Sequence, residues 1–140
     1  MADRVIQELD EAESLQLIAA GGIGRIAYQS RFGPAVLPVN YKWHDGAIVF
    51  RTVRHSALDE DLQTGIAGGD YMVAFEIDDF DVPTRQGWRV LIQGPAHHLE
   101  SEAERESVAR AGVEPWAGGV RELFIRIVPH RITGRRITAA

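Results

Sequence analysis

The stretch PAVLPVNYKWHDGAIVFRTVRHSALDEDL, Pro34 to Leu62, decides the fold. Asp45-Gly46 stands between two apolar runs, and an Asp-Gly pair suits the type I′ hairpin turn, whose two central residues both need φ > 0. A two-residue loop there sets the register by counting outward: Trp43 opposite Ile48, Tyr41 opposite Phe50, Val39 opposite Thr52. Strand side chains alternate between faces, so these six share one face, rich in aromatic rings, that reads as core. The other face pairs Lys42 with Val49, Asn40 with Arg51 and Pro38 with Val53.

Beyond Arg51-Thr52 the chain turns through Val53-Arg54-His55 and enters a short helix at Ser56, with Asp59 three residues on to make a weak capping box. Arg51, Thr52, Arg54 and Ser56 thus stand within a few residues of a helix start, whose unpaired amides attract anions. The grouping has two readings. It is a phosphate cradle, or it is a solvated sheet arginine beside a surface loop charge.

A chain of 140 residues is long enough for one domain with its own core. We expect that domain to span residues 1–140, with 1–8 as a flexible N-terminus. No apolar run is long enough to cross a membrane as a helix. The opening MADRVIQELDEAES is charged and lacks the apolar centre of a secretory signal. The absence of cysteine excludes disulfides, thiol catalysis and cysteine-bound metals, and with that opening fits a cytoplasmic address. A net charge of −5 argues against general nucleic-acid binding.

Ahead of the hairpin, Asp10 and Glu13 form a capping box for a helix of about ten residues. Ala12, Leu15, Ile18 and Ala19 lie on one face, and Gly21-Gly22 ends it. GRIAY, Gly24 to Tyr28, follows as a strand. The glycines of Gly21 to Gly24 follow a helix instead of a strand and lack the third glycine of a dinucleotide loop, which excludes the Rossmann reading. After Gly68-Gly69, Tyr71, Val73, Phe75 and Ile77 alternate with Met72, Ala74 and Glu76 as a half-buried strand. Asp78-Asp79-Phe80-Asp81 reads as a solvated turn, because a calcium loop needs a glycine at its sixth position and a carboxylate at its twelfth, where Arg89 stands. Trp88 to Leu99 forms a long strand, and Gly94-Pro95 within it implies an edge, bulge or bend. Ser101 and Glu104 head a polar helix ending at Gly112. Glu122 to Val128 is a last strand, which Ile132 to Ile137 continues beyond a bend at Pro129. Mostly antiparallel strands punctuated by helices give a mainly β (α+β) barrel with short peripheral helices.

The five histidines make no HExxH or i,i+4 helical pair, so no metal site is expected. His97 and His98 point to opposite faces of one strand. Neither a nucleophile elbow nor a Walker loop occurs. A chain without its own acid–base set is a binding module or an enzyme whose cofactor does the chemistry.

GRIAY, PVNY (Pro38 to Tyr41), the Asp-Gly turn, FRT (Phe50 to Thr52), VAFEIDD (Val73 to Asp79), GWRVLIQGPA (Gly87 to Ala96), PWAGG (Pro115 to Gly119) and ITGRRI (Ile132 to Ile137) come in one order. Together they resemble the pyridoxamine 5′-phosphate oxidase-like family over about Leu9 to Ile137. The resemblance implies an FMN-binding split β-barrel, built as a homodimer with two cofactor sites at the subunit interface, acting on a small-molecule substrate. It makes Arg51 and Thr52 the phosphate pair and runs Val39, Asn40 and Tyr41 beside the flavin ring. Trp88 and Arg89 approach the ring, and Trp116 and Arg135 reach the partner's cofactor. Large aromatics dominate burial, so tryptophans such as Trp88 and Trp116 are more often core or interface residues than ring-stacking ones. Ala57 stands where relatives commonly carry a lysine at the head of the short helix, so that either Arg54 or His55 serves the phosphate instead or the phosphate site is weakened. No counterpart to the substrate-binding C-terminal segment of the vitamin B6 oxidases follows ITGRRI, and a different substrate is expected. The cofactor alternatives are FMN and the deazaflavin F420; a non-catalytic or cofactor-free dimer is the reading outside enzymes.

Overall fold

The computed structural model describes residues 4–52, 56–62, 71–99, 102–110, 112 and 123–139. The described elements are β1 (Arg4–Leu9), α1 (Glu11–Ile18), β2 (Gly22–Ser30), β3 (Gly33–His44), β4 (Ala47–Thr52), α2 (Ala57–Asp61), β5 (Tyr71–Asp81), β6 (Gln86–His98), α3 (Glu102–Arg110), β7 (Leu123–Ile127) and β8 (Arg131–Ala139).

The Asp-Gly hairpin forms as counted. Asp45 and Gly46 both have positive φ, 50° and 75°, and Tyr41 faces Phe50 while Trp43 faces Ile48. That ladder runs from His44–Ala47 to Tyr41–Phe50, so the expected pairs Asn40–Arg51 and Val39–Thr52 lie beyond it. The reason is competition for edges. Beyond Tyr41, β3 is held by β2 through Val39–Gly24, and the end of β4 is held by β7 through Arg51–Phe124 and Thr52–Leu123. Val53, the expected partner of Pro38, lies outside the described residues.

All the pairings among the described residues are antiparallel. Strands β6-β5-β2-β3-β4-β7 follow one another, and β7 pairs back onto β6 to close a six-stranded barrel, while β8 and β1 extend from the other half of β6. This is the expected split barrel. Its interior is filled by Ile26, Ile48, Phe50, Phe75, Val90, Ile92, Ile125 and Ile127, all fully buried. Phe75 lies edge-on to Tyr41 at 5.4 Å and stacks on Phe50 at 6.3 Å between centroids. Such pairs add to simple burial.

Gly94-Pro95 marks the split. Residues up to Gln93 pair with β8, and from Ala96 onward with β7. The chain passing from β7 to β8 crosses over this point: Val128 N donates to Pro95 O at 3.1 Å and His130 N to Gln93 O at 2.9 Å. A Cβ on Gly94 would lie 1.9 Å from Val128 O, so only glycine admits the crossing. ITGRRI therefore begins a separate strand with different partners instead of prolonging β7.

Three further expectations change. Strand β1 takes in residues 4–8 of the terminus read as flexible and pairs along β8 from Arg4–Ala139 to Leu9–Gly134. Asp78 to Asp81, read as a turn, prolongs β5 opposite Arg89 to Gln86, and the turn follows at 82–85. Helix α1 carries the expected capping box. Its inward face, however, runs through Ser14 and Ile18, flanked by Leu15 and Leu17, and leaves Ala12 and Ala19 exposed. The helix is rolled because Ser14 seats against Gly134, where an added Cβ would come within 2.4 Å of its Oγ.

Candidate functional site

Alternation along β4 turns Ile48, Phe50 and Thr52 into the barrel and Val49 and Arg51 outward. The outward pair meets β7, whose register places Phe124 beside Arg51 and Arg126 beside Val49. The Arg51 guanidinium stands 5.1 Å from the Phe124 ring centroid, a cation–π distance. Thr52 is buried, with Oγ1 3.2 Å from Ser56 Oγ. Ser56 caps α2 by accepting the Asp59 amide at 3.1 Å. The end of β4 thus gathers a guanidinium on its outer side and two linked hydroxyls on its inner side.

The Asp59 carboxylate, read from the sequence as a capping group, meets His98 instead. Asp59 is completely buried, with Oδ1 2.6 Å from His98 Nε2, which fastens α2 to the end of β6. The signal for this was the apolar frame of ALDEDL, since Leu58 and Leu62 are both buried and carry Asp59 inward with them. His97, on the opposite face of β6, is aligned with Arg126.

Val39 packs against the barrel core and Asn40 is half-buried. Tyr41 is a core residue: its hydroxyl donates to Ile18 O at 2.9 Å, and burial pushes its pKa up to about 12. Trp88 packs against the core, whereas Arg89 leaves β6 on the other face, aligned with Asp78 on one side and Arg135 on the other. The two therefore do not approach one ring from one side by strand geometry. Arg135 Nε is 2.7 Å from Glu8 Oε1. Strand β8, which carries Arg135, neighbours β1 and β6, while β4, which carries Arg51, neighbours β3 and β7. Within one chain the expected site residues form two groups, one around Arg51, Thr52 and Ser56 and the other around Arg89 and Arg135. Arg54, His55 and Trp116 lie outside the described residues.

Beside the second group, Arg25 Nη1 is 3.3 Å from both Glu76 and Asp78. Burial, then the hydrogen bond and charge of Asp78, raise the Glu76 pKa to about 7 against the opposing pull of Arg25. Among the described residues, no three His, Asp or Glu side chains gather to hold a metal ion.

The pyridoxamine 5′-phosphate oxidase family model matches residues 10–136. The uncharacterized protein Rv0080 of Mycobacterium tuberculosis is 31% identical over 136 residues, covering 97% of this chain and 88% of its own. The FAD binding protein from Mycobacterium smegmatis has the same fold with a TM-score of 0.76 and 29% identity, over 93% of this chain and 98% of that one. An FAD-binding protein from Mesorhizobium loti shares the fold alone, with a TM-score of 0.74 and 19% identity over 97% and 99% of the two chains. The family match runs from the cap of α1 into β8 and takes in the whole six-stranded barrel: the chain belongs to the pyridoxamine 5′-phosphate oxidase family.

Proposed function

We propose that the protein binds a flavin nucleotide, FMN, at the end of β4 and acts as an oxidoreductase on a small-molecule substrate. The observation that carries this reading is the Arg51 guanidinium at the end of β4, with the linked Thr52 and Ser56 hydroxyls on the strand's other side at the head of α2. A planar guanidinium and two hydroxyls are the donors a phosphate group takes. The FAD-binding relative at 29% identity supports the flavin class. Bound flavin would supply the electron transfer; Arg51, Thr52 and Ser56 would hold its phosphate, and the backbone of Val39 to Tyr41 would face its ring.

The same reading makes the protein a homodimer with each cofactor shared between subunits. Val36, Met72 and Phe80 are 61%, 56% and 45% exposed. Register puts them on the outer face of the β3-β2-β5 surface, where Val36 and Met72 stand at one end, Phe80 at the other, and the Arg25 ion pairs with Glu76 and Asp78 lie between, a mixed surface that suits a two-fold contact. Arg89 and Arg135, on strands apart from Arg51, would reach the partner's flavin.

The test is the visible spectrum of the purified protein, followed by titration with FMN, FAD, riboflavin and F420. A phosphate held by charge-assisted hydrogen bonds, each about 1.5–3 kcal/mol, gives FMN roughly a ten- to hundred-fold advantage over riboflavin. Equal binding of the two would remove the cradle. Binding of F420 alone would make the protein a deazaflavin reductase, and binding of none would make it cofactor-free.

A further inference from the structure

Strand β1 ends the sheet. It pairs with β8 on one side, and among the described strands none lies on its other side. Such an edge presents a row of N–H and C=O groups to which another strand can add. Every residue from Arg4 to Glu8 is exposed, and Val5 and Ile6 in the middle are 47% and 63% so. The run holds no proline, lysine or bulge, the usual means by which an edge is kept from pairing. Its charges, Arg4 and Glu8, stand towards its two ends.

The sequence of β1 is complementary to itself. Facing residues of antiparallel strands turn their hydrogen-bonding groups either both towards each other or both away, so a two-fold axis passes through one residue position and not between two. Through Val5, the axis would set Arg4 against Ile6. Through Gln7, it would set Glu8 against Ile6 and draw in Leu9, which is buried where the chain turns into α1. Through Ile6, it sets Arg4 against Glu8 at both ends, Val5 against Gln7, and Ile6 against its own copy. Opposite charges directly across two strands attract, and apolar side chains pack there. Glu8 Oε1 is 2.7 Å from Arg135 Nε, yet the Glu8 side chain is 68% exposed, so a second guanidinium can reach it. Ile6 stands beside Ile137, so the register that joins the charges also joins one Ile6–Ile137 pair to the other.

We infer that a second copy of this chain pairs antiparallel with β1 about a two-fold axis through Ile6, making one sheet of two. The contact is separate from the β3-β2-β5 surface, since β8 and β6 stand between β1 and β5. It does not depend on flavin. So few residue pairs make a small interface, which dilute protein lacks and which fills at about 0.1–1 mM chain.

The chain has no cysteine, so one introduced thiol reports on a single place. Facing residues of an antiparallel pair hold their Cα atoms about 4.5–5.5 Å apart, within the span of a disulfide. At about 0.5 mM under mild oxidation, Ile6→Cys should link chain to chain at least about ten-fold faster than Val5→Cys or Gln7→Cys, whose thiols lie out of register with their own copies. Mixed together, the Val5→Cys and Gln7→Cys chains should link to each other. In the unaltered protein, the amide resonances of Arg4 to Glu8 should move between about 20 µM and about 1 mM, with and without FMN. Arg4→Glu sets a like charge against Glu8 and should abolish that movement while the FMN affinity stays within about two-fold. Resonances that do not move with concentration overturn the inference without any variant. So does Ile6→Cys that links no faster than Val5→Cys, whichever way the flavin titration falls.

Discussion

Arg51 leaves the outer face of β4 and lays its guanidinium over Phe124. Replacing it by alanine removes charge-assisted hydrogen bonds to a phosphate but little packing. Arg51→Ala is therefore expected to weaken FMN roughly ten- to hundred-fold, to change riboflavin affinity less than about three-fold, and to cost at most about 1 kcal/mol of stability. Fluorescence titration with both ligands checks the first two and a urea melt the third. Glu76 makes a prediction about pH. Its folded pKa of about 7 stands above the ordinary 4.5, so the native protein holds the proton more tightly than the unfolded chain. That stabilisation is complete below about pH 4.5 and is lost as pH rises through 7. Glu76→Gln should flatten this part of the stability–pH profile and stabilise the protein at pH 8 by about 1 kcal/mol, well below the full linkage value because solvent reaches the carboxylate. That Arg51 and Thr52 stand at the end of β4 was legible from the sequence, because the hairpin turn fixes where that strand ends. The Asp59–His98 pair was not, because nothing local reveals which of a helix's acids a distant strand will meet.

The hairpin shows what local chemistry can specify. An Asp-Gly turn and alternating apolar residues set the pairing from His44–Ala47 to Tyr41–Phe50. Beyond that point the partners come from β2 and β7, remote in sequence, and counting outward no longer held. The same limit hid β1, whose partner β8 lies at the far end of the chain, and it hid the exchange of partners along β6. A glycine before a proline announced a break there but not the strand crossing above it. Gly94→Ala would press a methyl onto Val128 O and should destabilise the protein by about 3 kcal/mol or more, read by urea denaturation. Helix α2 is expected to depend on its buried acid. Asp59→Ala leaves His98 facing a void and should cost about 3 kcal/mol in the same assay.

The whole molecule is a barrel closed through β6 and β7, and β1 and β8 continue from the other half of β6. The family and its fold were readable in the sequence because motif order follows strand order. The candidate site was legible as residues on particular strands, not as one place in the fold. The cradle around Arg51 and the group around Arg89 and Arg135 belong to different parts of one barrel, and a second subunit is what the proposed function requires to unite them. Sedimentation velocity of the protein with FMN, followed at the flavin's own visible absorbance, tests this directly. Flavin absorbance should travel with a species of twice 15.5 kDa and in a ratio of one flavin per chain. Flavin that remains unsedimented, or that travels with a 15.5 kDa species, would contradict a flavin site completed by two copies of the chain.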